Sequence, residues 1–111
     1  MESWQEIDDA KQDGRHELHL NGEIISDKLK RCEGKIPDTL FKLTSLNYLE
    51  ISDTTLSNLP PHIGKLTNLL NLALHRNQIT EIPQDINNLS KLKFMDVSFN
   101  RLRSLEPGII N

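Results

Sequence analysis

Leu43, Leu66 and Leu89 stand 23 residues apart, and the apolar residues that follow each of them keep the same ruler. After Leu43 come Leu46, Leu49, Ile51, Leu56, Leu59 and Ile63. After Leu66 come Leu69, Leu72, Leu74, Ile79, Ile82 and Ile86, and after Leu89 come Leu92, Met95, Val97, Leu102, Leu105 and Ile109. All 21 of these positions are Leu, Ile, Val or Met. A period of this length means one supersecondary unit copied along the chain, none of whose copies can bury its apolar face alone. The copies must therefore stack, each covering the next.

The fullest copy reads Leu69-x-x-Leu72-x-Leu74-x-x-Asn77-x-Ile79, which resembles the leucine-rich-repeat pattern. Its spacing has a physical reason. In Leu72-Ala73-Leu74, strand alternation sends both leucines to one face and Ala73 to the other, so one face is core and the other is free. Asn77 falls where the chain leaves the strand, and its amide can bond backbone groups that would otherwise be buried unpaired. Asn100 holds the matching place, while Thr54 and Glu23 occupy it in earlier copies, Glu with the poorer fit. Ile36-Pro37, Leu59-Pro60 and Ile82-Pro83 then set an extended segment on the convex side, because Pro fixes φ and disfavours helix just before it. The last copy moves its proline to Pro107.

Working back from Ile36-Pro37 recovers a degenerate first repeat, with Leu18-His19-Leu20 as its strand, Ile25 as its next core position and eight extra residues within Ser26 to Lys35. These are expected to form a convex loop or helical turn. Ahead of it, Ser3-x-x-Glu6 reads as a capping box for a short helix in which Trp4, Ile7 and Ala10 or Lys11 recur at helical spacing. The expected architecture is an α/β solenoid of about four repeats, with parallel strands on the concave face and an irregular convex side. A capping helix (1–14) precedes the repeats (15–42 with the insertion, 43–65, 66–88 and 89–111). Ile109 closes a repeat with no evident cap, so the chain reads as part of something longer, a short splice form, or a protein that self-associates through that edge.

Lining up the outward positions of the strands gives a first row of Glu17, Tyr48, Asn71 and Phe94, a second of His19, Glu50, Ala73 and Asp96, and a third of Asn21, Ser52, His75 and Ser98. Just beyond lie Gly22, Asp53, Arg76 and Phe99. Tyr48 and Phe94 are aromatics on a polar surface, as interface hot spots tend to be; the plainer reading is that Tyr48 is merely exposed and that Phe99 packs over the strand edge. The expected partner-binding set is Glu17, His19, Tyr48, Glu50, Asp53, Asn71, His75, Arg76, Phe94, Asp96 and Phe99. Acid outweighs base on this face, Glu17, Glu50, Asp53 and Asp96 against Arg76 with Lys93 on the flank, which argues against nucleic acid, whose affinity rests on phosphate contacts. The basic residues Lys28, Lys30, Arg31 and Lys35 gather in the insertion, where four charges are more often solvation than an RNA site.

Catalysis is not expected. His75 has Ser52 and Ser98 in its row and acids one row over, but such neighbours arise on any polar sheet, and nothing suggests an oxyanion hole. His16 and His19 are three apart on an extended chain, point to opposite faces and cannot share a metal. Neither metal nor cofactor is called for. The net charge of −3 is too mild to name a partner, and one cysteine, Cys32, allows no internal disulfide and fits a reducing compartment. The acidic start Met1-Glu2-Ser3-Trp4-Gln5-Glu6 lacks the basic, apolar character of a signal peptide. No stretch approaches the roughly 20 apolar residues of a membrane span. A cytoplasmic protein is expected, and Asn88-Leu89-Ser90, though it fits the glycosylation pattern, is expected to stay unmodified.

Two resemblances bear on function. The three regular repeats resemble the 23-residue, Leu-Pro-containing class of intracellular Ras and phosphatase signalling scaffolds and plant Ras-group proteins. The N-terminal half, with Ser3-Trp4, Arg15-x-Glu17-Leu18-x-Leu20-x-Gly22 and Gly34-Lys35-Ile36-Pro37-x-x-Leu40-Phe41-x-Leu43-x-x-Leu46-x-Tyr48-Leu49-Glu50-Ile51-Ser52, is similar to the start of the leucine-rich repeat-containing protein 47 family. That resemblance implies a translation-linked, RNA-associated cytosolic protein whose repeats precede a C-terminal domain related to a tRNA-synthetase editing region. The domain is missing here, so only an interaction module carries over, with Tyr48 and Glu50 inside the matching stretch.

The strand phase is directly testable. Leu72→Ala is expected to lower stability by about 2 to 5 kcal/mol in urea unfolding, and Asn71→Ala to stay within about 0.5 kcal/mol of the parent. Equal effects would invert the phase.

Overall fold

The structure, a computed structural model, describes residues 4–103. Helix α1 (Gln5–Asp13) leads into strand β1 (Glu17–Asn21), helix α2 (Gly22–Arg31) and strands β2 (Tyr48–Ser52), β3 (Asn71–Ala73) and β4 (Phe94–Asp96). Short 3-10 turns at Asp38–Lys42, Pro61–Lys65 and Gln84–Asn88 occupy the return path of each repeat. The strands form one parallel sheet in the order β1-β2-β3-β4, so the solenoid and its strand phase are those the repeat demands. Leu18, Leu49, Leu72 and Met95 pair in register and are all buried.

The ladder outlasts the formal strands. The carbonyl of Asn47 accepts from the Leu70 and Asn71 amides at 2.8 and 3.1 Å, and the carbonyl of Leu70 accepts from Lys93 and Phe94 at the same distances. On the return path, Pro37, Pro60 and Pro83 each stand just before a 3-10 turn with an extended ψ. Proline ends the extended segment there and needs no donor. Gly64 marks the tightest approach between neighbouring turns, since a Cβ there would meet the Asp85 carbonyl oxygen at 2.8 Å.

The asparagine position works as its chemistry suggests. The Asn77 Nδ2 group donates to the carbonyls of Ile51 (2.7 Å) and Leu74 (2.9 Å), while Oδ1 accepts from the Thr54 amide (3.1 Å) and hydroxyl. The Thr54 hydroxyl oxygen in turn accepts from the Leu56 amide. Asn100 repeats the scheme one unit on, donating to Leu74 and Val97 and accepting from Ile79. Glu23 takes no such part. It is exposed on the first turn of α2, because the first repeat leaves its strand directly into a helix.

Helix α2 begins earlier and runs longer than the expected insertion. Ile25 and Leu29 recur at helical spacing and are buried, Lys28, Lys30 and Arg31 favour the negative end of the helix dipole, and Glu33 and Gly34 end it with positive φ. Helix α1 buries Trp4, Ile7 and Ala10 and leaves Lys11 exposed, so it covers the first strand as a cap should. Its N-cap residue is Trp4 with no side-chain cap bond; the capping role assigned to Ser3 lies outside the described residues. So do Leu105, Pro107, Ile109 and the C-terminal edge. Lys28 Nζ donates to Glu6 Oε1 at 2.8 Å, tying α2 to α1. Burial is the largest single effect on Glu6 and opposes its ionisation, but this bond, a backbone hydrogen bond and the Lys28 charge together outweigh it and hold its carboxyl below the ordinary range.

Asn77 joins two repeats through groups that water cannot reach, so Asn77→Ala is expected to cost about 2 to 4 kcal/mol in urea unfolding, the penalty of stranding several buried backbone groups. Exposed Asn68, which also bridges repeats through the Thr44 carbonyl, serves as the control, with less than about 1 kcal/mol lost in Asn68→Ala.

Candidate functional site

The free face of the sheet is fixed by the same register that buries the leucines. Glu17, Tyr48, Asn71 and Phe94 pair across the four strands as the first row, and His19, Glu50, Ala73 and Asp96 as the second. Phe94 is 66% exposed and Tyr48 half-buried. The Tyr48 ring lies against His19, centroids 4.9 Å apart. Between Tyr48 and Phe94, over Asn71 and Ala73, is a shallow hollow of about 260 Å³.

The second row is held by charge. His19 Nδ1 donates to Glu50 Oε1 at 2.7 Å, and the Ser52 hydroxyl donates to Oε2 at 2.7 Å. The bond to Glu50 raises the His19 pKa above its ordinary value against the effect of desolvation, with Glu17 assisting. The bonds from His19 and Ser52 in turn hold the Glu50 carboxyl below its ordinary range. Asp96 is lowered as well, by the Ser98 hydroxyl (2.6 Å) and amide (3.0 Å), both on Oδ1.

The third row departs from the sequence reading. Ser52 is buried, because its hydroxyl turns back to Glu50, and it presents nothing to solvent. The Ser52 and Ser98 hydroxyls both serve carboxylates, so His75 has no serine to activate. His75 Nδ1 is buried and lies 3.6 Å from Asp96 Oδ2, too far for a hydrogen bond. Beyond this row, Gly22, Asp53, Arg76 and Phe99 all have positive φ, between 55° and 84°. The chain turns off each strand through the left-handed region, and only the first copy uses glycine. Phe99 is 74% exposed rather than packed over the strand edge, with the Arg76 guanidinium 5.4 Å from its ring centre.

All eleven expected residues thus fall on one continuous face, Asp53, Arg76 and Phe99 along its turn edge. Sequence reasoning missed the hollow, although the signal was present: Ala73 is the small residue in a row of long ones. It also missed that Lys28 is spent on Glu6, which leaves the insertion without an open cluster of four cations. Among the described residues no group of three or more His, Cys, Asp or Glu could hold a metal, and Cys32 is buried and unpaired. No described helix is long and apolar enough to cross a membrane.

Stacked units whose parallel strands line one open face and whose return paths are turns define a repeat solenoid, a class that presents an extended concave surface. A family model described as a leucine-rich repeat region matches residues 25–110, and the chain belongs to that family. Among solved structures it is similar to a leucine-rich-repeat protein of Leptospira interrogans, at 27% identity and a TM-score of 0.69 over 82% of this chain and 21% of that one. It is also similar to an internalin of Listeria monocytogenes, at 27% identity and a TM-score of 0.53 over 65% of this chain and 24% of that one. The chain therefore spans less than a quarter of the length of either protein.

The His19–Glu50 pair makes stability depend on pH with opposite signs on its two sides. His19 binds its proton more tightly when folded, so it adds stability below its ordinary 6.5 that is lost as pH rises through the folded value. Glu50 adds stability above its ordinary 4.5 that is lost as pH falls through its lowered value. The pair contributes most between these two values. An NMR titration of the His19 ring is expected to give a midpoint above 6.5, and Glu50→Gln to bring it down; a midpoint indifferent to Glu50 would show that the pair does not form in solution.

Proposed function

We propose that this chain is a non-catalytic protein-docking module and that its concave face, from Glu17 to Phe99, is the docking surface. The observation that carries this reading is the placement of Phe94 and Tyr48 on a rigid sheet face, rimmed by ionised side chains and flanking a hollow. Exposed aromatics of this kind are preferred anchors, because they bury large areas with few rotatable bonds. Leucine-rich-repeat regions in general serve protein binding, so family and face agree.

For the setting, the N-terminal likeness around Gly34-Lys35-Ile36-Pro37 and Tyr48-Leu49-Glu50-Ile51 favours a cytoplasmic, translation- or RNA-associated parent protein, with this region supplying protein contacts and no RNA contact of its own. A second reading, a fragment of a Ras- or phosphatase-type signalling scaffold, is favoured by the regular Leu-Pro spacing of the copies at Leu59-Pro60 and Ile82-Pro83.

An affinity pull-down from cytosolic extract, with bound proteins identified by mass spectrometry, compares the chain with a Tyr48→Ala, Phe94→Ala double variant. Translation factors are expected on the parent chain and to be lost from the variant. GTPases or phosphatase subunits lost in the same way would favour the scaffold reading. The same proteins on both chains would move the docking surface away from the concave face.

A further inference from the structure

The second row runs His19, Glu50, Ala73, Asp96, and Ala73 is its one short side chain. Two carboxylates therefore face each other across an empty lattice position. Their backbones are two strand spacings apart, roughly 9.6 Å. Glu50 is fixed from the β1 side by His19 and by Ser52, and Asp96 is fixed through Oδ1 by Ser98. Neither is bonded to the other, and His75 stands beside them in the next row, its Nδ1 3.6 Å from Asp96 Oδ2. One row away, Tyr48 and Phe94 wall the hollow, with only the short Asn71 amide between them. Lys93 also borders the hollow, its backbone three residues before Asp96 and roughly 10 Å away along the strand.

We propose that the notch over Ala73 takes an arginine side chain of a protein partner, its guanidinium bridging Glu50 and Asp96 and its stem lying along Tyr48 and Phe94. The inference rests on the concave face being the docking surface. An apolar occupant would desolvate two carboxylates without replacing their water, and an acidic one would add repulsion. A guanidinium supplies five donors in one plane, enough to serve both acids, and its flat face stacks on aromatic rings. An ammonium could do the first only as a point charge.

The test is an NMR titration of the full 15N-labelled chain with acetyl-Gly-Arg-Gly-amide, and separately with the citrulline peptide of the same shape and no charge. The arginine peptide is expected to give saturable shifts at the amides of Ala73, Phe94 and Asp96, and the citrulline peptide to give almost none. Glu50→Gln with Asp96→Asn is expected to weaken binding about ten-fold or more. Equal responses to the two peptides, or unchanged affinity in the folded double variant, would overturn the proposal. Ala73→Leu fills the notch while leaving both carboxylates in place, and it decides the matter if the charge variant fails to fold: retained binding there would also overturn the proposal. The two levels of the argument separate in the pull-down. Partners lost with Tyr48 and Phe94 but kept with Glu50 and Asp96 neutralised would overturn the arginine notch and leave the docking face standing, whereas partners kept in both would overturn the face itself.

Discussion

Everything on the exposed side of this protein depends on the in-register pairing of Leu18, Leu49, Leu72 and Met95 across four parallel strands. These residues form the row that no single repeat could bury, and a slip of one residue would turn the whole row to water. Because that slip is so unfavourable, the alternate residues are fixed to the same tolerance. The rows Glu17 to Phe94 and His19 to Asp96 are thus by-products of core packing. The arrangement of the face follows from the hydrophobic effect, while its chemistry is free to vary.

That division explains what could be read in advance. The repeat, the strand phase, the role of Asn77 and the cap formed by Trp4, Ile7 and Ala10 were legible because each follows from an apolar period or from an obligatory backbone bond. The path after Leu20 was less so. A pattern search places Glu23 at the asparagine position, but the helical spacing of Ile25 and Leu29 overrides it, and the chain turns into α2 at Gly22. Local helix formation by an amphipathic segment prevails where the repeat has already lost its ladder residue.

The site was legible as a set of positions and illegible as a set of interactions. Alternation placed Glu50 outward, but the side-chain bonds that make it a fixed anion come from His19 on the preceding strand, 31 residues away, and from Ser52. Ser52 itself shows the limit of the rule, since it lies on the outward phase yet is buried by turning its hydroxyl to a neighbour. Lys28 shows the same limit from the other side. A run of basic residues reads as a solvated cluster until the fold brings Glu6 to within 2.8 Å of one of them.

The turn edge of the face obeys a third kind of constraint. Gly22, Asp53, Arg76 and Phe99 occupy equivalent places and share a left-handed backbone, so that conformation belongs to the solenoid and not to the side chain that happens to be there. For a residue with a Cβ it costs roughly 1 to 2 kcal/mol, which each of the three later copies meets from the core beneath it. Glycine would relieve the strain but would present nothing. With Arg76 and Phe99 in these places the strain instead supports an exposed cation and ring, 5.4 Å apart and just beyond the row that carries His75. Core burial, rather than any local preference of these residues, holds the aromatic and charged groups of the concave face in one rigid array.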